Sequence, residues 1–270
     1  MLAFFLYDAA RRPAANQRRT AIQMGYPPAP DGHTIYVVGD IHGRSDLLEN
    51  VHRRIDEDRA RSRPAHPVEI YLGDYVDRGP DPAGVVARLV DRAEGVQTAF
   101  LRGNHEQLLI DFLDGADCLK QWSAVGAVST LLSYGVTPEL LSRRVAADVV
   151  RRSFGENMPD AHRRFYEDTG SYLLVDPYLF VHAGIRPGIA TEKQSVSDLL
   201  TIRRTFLDFQ GDFGHIVVHG HTPAIEPELR RNRINLDTGA FATSRLTCAR
   251  IGADGVALLE GDVWRMVERP

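Results

Sequence analysis

A chain of 270 residues and 30.1 kDa is long enough for one large core, or for one domain carrying an insertion. An apolar share of 43% and a charged share of 25% are ordinary for a soluble globular protein, and a net charge of −4 argues against nucleic acid or an anionic membrane as partner. Cys118 and Cys248 are too few and too far apart for a disulfide framework or a thiolate metal site, which points to a reducing, cytoplasmic setting. Lys120 and Lys193 are the only lysines among 32 basic residues, a bias that fits codon usage and carries no function.

The chain opens on an apolar run, Leu2 to Tyr7, which Asp8 ends far short of the roughly 18 residues of a membrane span. It lacks a basic leader and is expected to pack on the body of the domain. Residues 26–32 are proline-rich and read as an extended lead-in. Thr34–Val38 is β-branched and aromatic, a strand that runs straight into GDIHG at Gly39–Gly43. Ser45 and Asp46 are placed to cap a helix carrying Leu47, Leu48, Val51 and Ile55. After a polar loop at Arg59–Pro67, a second strand, Val68–Leu72, leads into GDYVDRG at Gly73–Gly79. Asp81 and Pro82 then start a helix with Val85, Val86, Leu89 and Val90 inward. A third strand, Val96–Leu101, leads into GNHE at Gly103–Glu106, with Leu108, Leu109, Phe112 and Leu113 on the helix behind. Strand, motif and helix three times over predict an α/β fold with the motifs at the carboxyl ends of the strands.

Residues 115–170 read as mostly helical, first on Trp122, Val125, Val128, Leu131 and Leu132, then on Leu140, Leu141, Val145, Val149 and Val150. No chemical motif falls there, and the segment reads as a helical insertion that shapes substrate access. From Tyr172 the pattern turns strand-rich. Tyr172–Val175 is followed by Tyr178–Val181 into HAG at His182–Gly184, His215–Val218 into GHT at Gly220–Thr222, Arg233–Leu236 into Asp237-Thr238-Gly239, and Leu246–Ile251. A loop at Gly184–Val196 and one helix at Asp198–Phe209 lie between them.

The motifs supply Asp40, His42, Asp74, Asn104, His182 and His221, oxygen and imidazole donors with no thiolate among them. Such a set suits two divalent ions sharing one carboxylate, not a structural zinc. A pair of ions roughly 3.5–4 Å apart clamps an in-line displacement at phosphorus. Asp40 and His42, two apart at a strand end, can point to the same side and chelate one ion. A lone D-x-H is more often a turn; the second carboxylate, Asp74 behind Gly73, reverses that reading, and one Asp can bridge both ions. Asn104 fits a helix N-cap as well as a ligand. His182 would by default be a satisfied core histidine, but Ala183-Gly184 leaves room for a neighbour. His221 sits between Gly220 and Thr222-Pro223, and the flanking glycines are expected to let backbone approach the ions. His33, His215 and His219 read as structural or solvent-facing, and His52, His66 and His162 have no assigned role. His105 reads as the general acid for the leaving oxygen, oriented and charged by Asp77. Arg78 offers a planar fork to phosphate oxygens. A second arginine is expected at Arg203 or Arg204, where a solvated helix face is the plain alternative.

The ordered set GDIHG, GDYVDRG, GNHE, HAG and GHT, closed by DTG, resembles the phosphoprotein phosphatase branch of the calcineurin-like metallophosphoesterases. The similarity is to the bacterial and phage-type serine/threonine protein phosphatases in particular, and it runs from about Thr34 to about Thr243. It implies a four-layer α/β/β/α sandwich in a single domain over residues 1–270, with the helical insertion at about 115–170. It implies that Asp40, His42 and Asp74 hold a first metal and that Asp74, Asn104, His182 and His221 hold a second. Manganese is the expected metal, with iron or zinc as alternatives. His105 with Asp77 is then the acid pair, and Arg78, Arg203 and Asn104 meet the substrate phosphate. Where the wider superfamily often ends its last motif G-H-x-H, this chain has Pro223, as in the protein-phosphatase branch. That leaves the first metal an open position and favours phosphomonoesters over diesters. The implied function is hydrolysis of phosphoserine or phosphothreonine in proteins by direct attack of metal-activated water. A phosphoprotein or phosphopeptide is the expected partner, with no nucleic acid and no membrane. One alternative is a symmetrical diadenosine tetraphosphate hydrolase, acting on a dinucleoside polyphosphate through nearly the same motifs. Another is a binding module of this fold that has lost catalysis, against which the intact Asp40, His42, Asp74, Asn104, His105 and His221 weigh.

Overall fold

Two short strands that are apolar on both faces decide the layering. The computed structural model describes residues 25–30, 32–142 and 144–270. The Leu2–Tyr7 run lies outside them. Strands β1 (His33–Val38), β2 (His66–Tyr71) and β3 (Thr98–Phe100) pair in parallel, separated by helices α1 (Ser45–Ser62) and α2 (Pro82–Gly95), and α3 (Asn104–Leu113) follows β3. Helices α4 (Leu119–Val125), α5 (Ala127–Ser133), α6 (Ala147–Asn157) and α7 (Asp160–Glu167) come next. Then follow β4 (Tyr172–Val175), β5 (Tyr178–Val181), α8 (Val196–Thr201), α9 (Arg204–Leu207), β6 (Ile216–His219), β7 (Glu228–Leu229) and β8 (Arg233–Asn235). The described chain ends with α10 (Ala240–Thr243), β9 (Cys248–Gly252), β10 (Gly255–Glu260) and β11 (Val263–Met266).

One sheet runs β11-β10-β9-β1-β2-β3 and the other β4-β5-β6-β8-β7. Because side chains alternate along a strand, Tyr36 and Val38 of β1 face one way, into a core shared with Leu48, Val51, Val85, Leu89, Phe112 and Trp122 of the helices. Ile35 and Val37 face the other way, into a core shared with Tyr178 and Phe180 of β5 and Val218 of β6. Leu179 and Val181 of β5 turn outward again, onto Leu199 of α8 and Phe206 of α9. The order is therefore helices, sheet, sheet, helices, the expected four layers. Burying each such side chain contributes about 1.5–3 kcal/mol. No helix among the described residues is long and apolar enough to cross a membrane.

Several boundaries depart from the sequence reading. The N-cap of α1 is Arg44, not Ser45 or Asp46; Arg44 pairs with Asp46 at 2.7 Å, while the Ser45 hydroxyl donates to Asp81 at 2.5 Å. The segment expected as a loop from Arg59 is helical to Ser62, held by Arg61 on the buried Asp58 carboxylate and by the Ser62 hydroxyl on the Asp58 carbonyl. The second half of the insertion carries turns around Leu140 and Leu141 where helix was expected. The helix expected over Asp198–Phe209 is two, broken at Ile202 and Arg203, with Arg203 in a non-helical conformation (φ −129°, ψ −105°). Strands β7, β10 and β11 lay outside the sequence reading altogether.

Candidate active site

Strained backbone marks the site before any side chain does. His42, Asp74, Asp77, Arg78 and His221 all have positive φ, between 46° and 70°. Each such non-glycine residue costs roughly 1–3 kcal/mol and persists only where surrounding contacts over-determine it. All five sit just past the carboxyl ends of β1, β2 or β6, so both sheets deliver their loops to one place.

Asp74 is the hub. Its carboxylate lies 3.5 Å from His42 Nε2 and 3.4 Å from His182 Nε2, and it also accepts the His105 backbone N–H at 3.2 Å. His42 Nδ1 donates to the Val76 carbonyl (2.8 Å) and His182 Nδ1 to the Leu72 carbonyl (2.9 Å). A carbonyl can only accept, so in each neutral ring the lone pair is on Nε2 and faces Asp74. Beside His182 Nε2, at 3.2 Å, is Asn104 Oδ1, a second acceptor. His221 turns its ring edge to His182 (5.1 Å), and its Nε2 has no hydrogen-bond partner. Asp40 accepts the His221 N–H with Oδ2 (3.0 Å), and its buried Oδ1 is also without a partner.

Donor atoms thus gather as His42-Asp74-His105 and Asp74-His182-His221, each group within 4.8 Å, with Asp74 common to both. Asp40 stands outside both groups. Convergent lone pairs with orphaned buried atoms among them are what cations would satisfy. Electrostatics agree with that fit. Burial lowers the His42 and His221 pKa values to about 3 and lowers that of His182, so all three are neutral, ligand-ready imidazoles. Burial, with Asp237 and Asp74 adding to it, pushes Asp40 well above the usual carboxylate range, and burial raises Asp237 to about 6. Positive charge placed among them would relieve both.

Next to this cluster lies a second constellation. His105 Nδ1 is 2.6 Å from Asp77 Oδ2, and Asp77 is fully buried. Burial acts to lower the His105 pKa, but the charge of Asp74 and the hydrogen bond to Asp77 outweigh it and the net shift is upward. Arg78 spans the two constellations, with Nη1 at 2.9 Å from His42 Nε2 and Nη2 at 3.1 Å from His105 Nε2. The Phe241 ring lies under its guanidinium at 4.9 Å. Arg203 is exposed, and its charge adds to the effect of burial on His182 and His221 and works against it on Asp237. No ion pair of Arg203 or Arg204 occurs among the described residues. His219 is a core histidine, fully buried and edge-on to Phe206 at 4.8 Å.

The motif glycines let backbone close on the acidic side chains of the site: a Cβ on Gly103 would strike the Asp74 carboxylate, and one on Gly220 would strike that of Asp40. Two expectations need correction here. Asn104 is the first residue of α3, and Gly103 is its N-cap. Residues 115–170 are not free of site chemistry. Trp122 Nε1 donates to Asp77 Oδ2 (2.8 Å), and the Thr130 hydroxyl donates to Asp77 Oδ1 (2.5 Å).

Glu106 is a further residue that sequence reasoning missed. Its buried carboxylate accepts four backbone N–H groups: Asp74 (2.8 Å) and Gly103 (2.9 Å) on Oε2, Tyr75 (2.8 Å) and Val76 (3.3 Å) on Oε1. Burial and the charge of Asp74 push its pKa up to about 7, while the amide donors act in the opposite direction. The bond to Gly103 is half of a capping box, and a Glu three residues past the N-cap was the available signal.

A family model described as calcineurin-like phosphoesterase matches residues 33–257. The asymmetrical bis(5'-nucleosyl)-tetraphosphatase PrpE of Anoxybacillus flavithermus is 24% identical over 235 residues, 79% of this chain and 89% of that protein. Among solved structures, a protein proposed to be a diadenosine tetraphosphatase superposes with a TM-score of 0.54 at 18% identity, covering 91% of this chain and 97% of the other. The cold-active protein-tyrosine phosphatase of a Shewanella species superposes at 0.52 and 14% identity, covering 95% of this chain and 88% of its own. Structural likeness at such identities carries the fold alone. The family match spans every motif loop just described, from β1 into β10, and so the chain belongs to the calcineurin-like phosphoesterases.

Proposed function

We propose that this chain is a dinuclear-metal phosphomonoesterase whose preferred substrates have a strongly basic leaving group, as in phosphoserine and phosphothreonine. The observation that carries the reading is the buried His105–Asp77 pair, with Nε2 of His105 turned toward Arg78 and the Asp74 hub. A seryl or threonyl alkoxide leaves poorly unless it is protonated in the transition state, and a positioned acid contributes about 10²–10⁴-fold. A phosphate leaving group, with a second pKa of about 6, draws far less on such a donor.

Asp40, His42 and Asp74 would hold one ion and Asp74, Asn104, His182 and His221 the other, manganese being the expected metal. When bound, the pair supplies Lewis-acid charge and an activated water. The chain's own side chains do the remainder. Arg78 holds the phosphate oxygens with its fork, Arg203 adds positive charge, and Asn104 contributes a polar contact. His105 gives its Nε2 proton to the departing oxygen, and Asp77 keeps Nδ1 protonated and the ring oriented. Arg78 donates to the lone pairs of both His42 and His105, so it must leave both: His42 Nε2 has to be free to face an ion, and His105 Nε2 has to carry the proton.

Two variants separate these roles. His105→Asn should lose about 10²–10⁴-fold on a phosphoserine peptide, and clearly less on nitrophenyl phosphate, whose leaving group departs almost unaided. Equal losses on both would remove His105 as proton donor. Arg78→Ala should keep its metals, lose about 10²-fold in kcat and bind inorganic phosphate more weakly. Unchanged inhibition by phosphate would take Arg78 out of the site.

A second reading, hydrolysis of dinucleoside tetraphosphates, is favoured by the name of the PrpE relative, which specifies asymmetrical cleavage rather than the symmetrical kind. Rates on phosphoserine, phosphothreonine and phosphotyrosine peptides, measured beside diadenosine tetraphosphate with manganese present, decide between the two. Higher kcat/KM on the phosphoserine or phosphothreonine peptide is the expected result. A dinucleotide preferred by orders of magnitude would replace the first reading with the second.

A further inference from the structure

We infer that Trp122 and Thr130 are positioning residues for protonation of the leaving group, acting through Asp77 from the α4–Gly126–α5 segment; this rests on His105 being the proton donor. Asp77 and Arg78 are consecutive residues with φ of 70° and 67°; Asp tolerates the left-handed conformation as a single residue, but Arg does not favour it, and two in succession need support. Contacts from outside the motif hold them, and those to the Asp77 and Arg78 backbone N–H groups both come from one segment.

Thr130 on α5 grips Asp77 twice. Its hydroxyl oxygen accepts the Asp77 backbone N–H at 2.9 Å, and the same hydroxyl donates to Asp77 Oδ1 at 2.5 Å. Backbone and carboxylate of Asp77 are thereby locked to one another. Trp122 on α4 donates its indole N–H to Oδ2, the oxygen that also meets His105. The indole is fully buried against Phe112 (5.6 Å) and Phe154 (5.7 Å), and the N–H is its one polar atom. Arg78 is tied to the joint between the helices, its N–H to the Gly126 carbonyl and its Nε to the Val125 carbonyl, both at 3.3 Å. Gly126 itself has φ of 123°, and a Cβ there would lie 2.8 Å from Arg78 Cγ, so the joint is closed directly onto Arg78.

With three donors on two oxygens, the Asp77 carboxylate has one orientation, and so has the imidazole that leans on it. Removing either outside donor frees the carboxylate to rotate and turns His105 away from the leaving oxygen. A purely structural role for these residues would affect all substrates alike. A positioning role spares those whose leaving group departs unprotonated.

The test compares Thr130→Val, Thr130→Ser and Trp122→Phe with His105→Asn on a phosphoserine peptide and on nitrophenyl phosphate, in metal-loaded protein. Thr130→Val and Trp122→Phe should lose about tenfold or more on the peptide and less than about threefold on nitrophenyl phosphate, a part of the full general-acid contribution. Thr130→Ser, which keeps the hydroxyl, should restore the peptide rate. Equal losses on the two substrates, or no loss while His105→Asn shows the differential, would overturn the positioning role alone. Absence of the differential in His105→Asn itself would bring down the proton-donor reading and the inference with it. Should Thr130→Val fail to fold, Trp122→Phe carries the test, because it keeps the aromatic packing.

Discussion

Replacing Asp74 by Asn is expected to strip the protein of at least one metal and to lower phosphoester hydrolysis by about 10³-fold or more. The substitution is close to a pure charge test. Asn tolerates the left-handed conformation that Asp74 adopts (φ 52°), and it keeps an oxygen able to accept the His105 N–H. What it loses is the charge that lies within 3.5 Å of His42 Nε2 and within 3.4 Å of His182 Nε2. Those neutral imidazoles bring no charge of their own, so Asp74 is the one anion common to both donor groups. Elemental analysis alongside kcat gives the answer. A variant that holds two metals tightly would refute a shared ligand.

Glu106→Gln is expected to be as damaging, by a different route. Each oxygen of the Glu106 carboxylate accepts two backbone N–H groups. An amide offers one oxygen and turns an NH₂ toward the other two donors. Two buried amides left without an acceptor cost roughly 1–3 kcal/mol each. These amides belong to Gly103 and to the Asp74–Val76 turn, the loop that carries the hub at positive φ. The loss therefore falls on stability and on metal retention together. For a chain of this size the melting temperature should drop by about 5–15 °C. Thermal unfolding of the metal-loaded variant checks it, and a melting temperature within about 2 °C of the parent, with full metal content, would show that the turn stands without Glu106.

The residues legible in the sequence are those whose chemistry demands a residue type at a fixed place. An apolar, β-branched strand-like run followed by a glycine-bounded polar motif singles out Asp40, His42, Asp74, His182 and His221, because a short motif directly behind a strand end has little freedom in where it delivers a side chain. The three parallel strands and their helices were legible for the same reason. What escaped depends on distance along the chain. Trp122 and Thr130 stand 45 and 53 residues from Asp77, and nothing local to either announces the contact. Trp122 reads as a core aromatic, which it also is. Glu106 reads as an acid in the first turn of a helix, and only the fold brings the Asp74 loop, 32 residues earlier, over it. The break at Arg203 interrupts an apolar periodicity without a proline or glycine, so tertiary packing of Leu199 and Phe206 on β5 overrode the local preference. The β10–β11 hairpin was the avoidable miss, since Asp254-Gly255 and Gly261-Asp262 are ordinary turn signals.

The account depends most on two ions sharing Asp74, and a metal titration of the stripped protein tests that directly. Chelated protein should be inactive toward nitrophenyl phosphate. Added manganese should bind with a stoichiometry of two, and activity should appear only as the second equivalent fills. Full activity in the chelated protein, or saturation of both binding and activity at one equivalent, would contradict it.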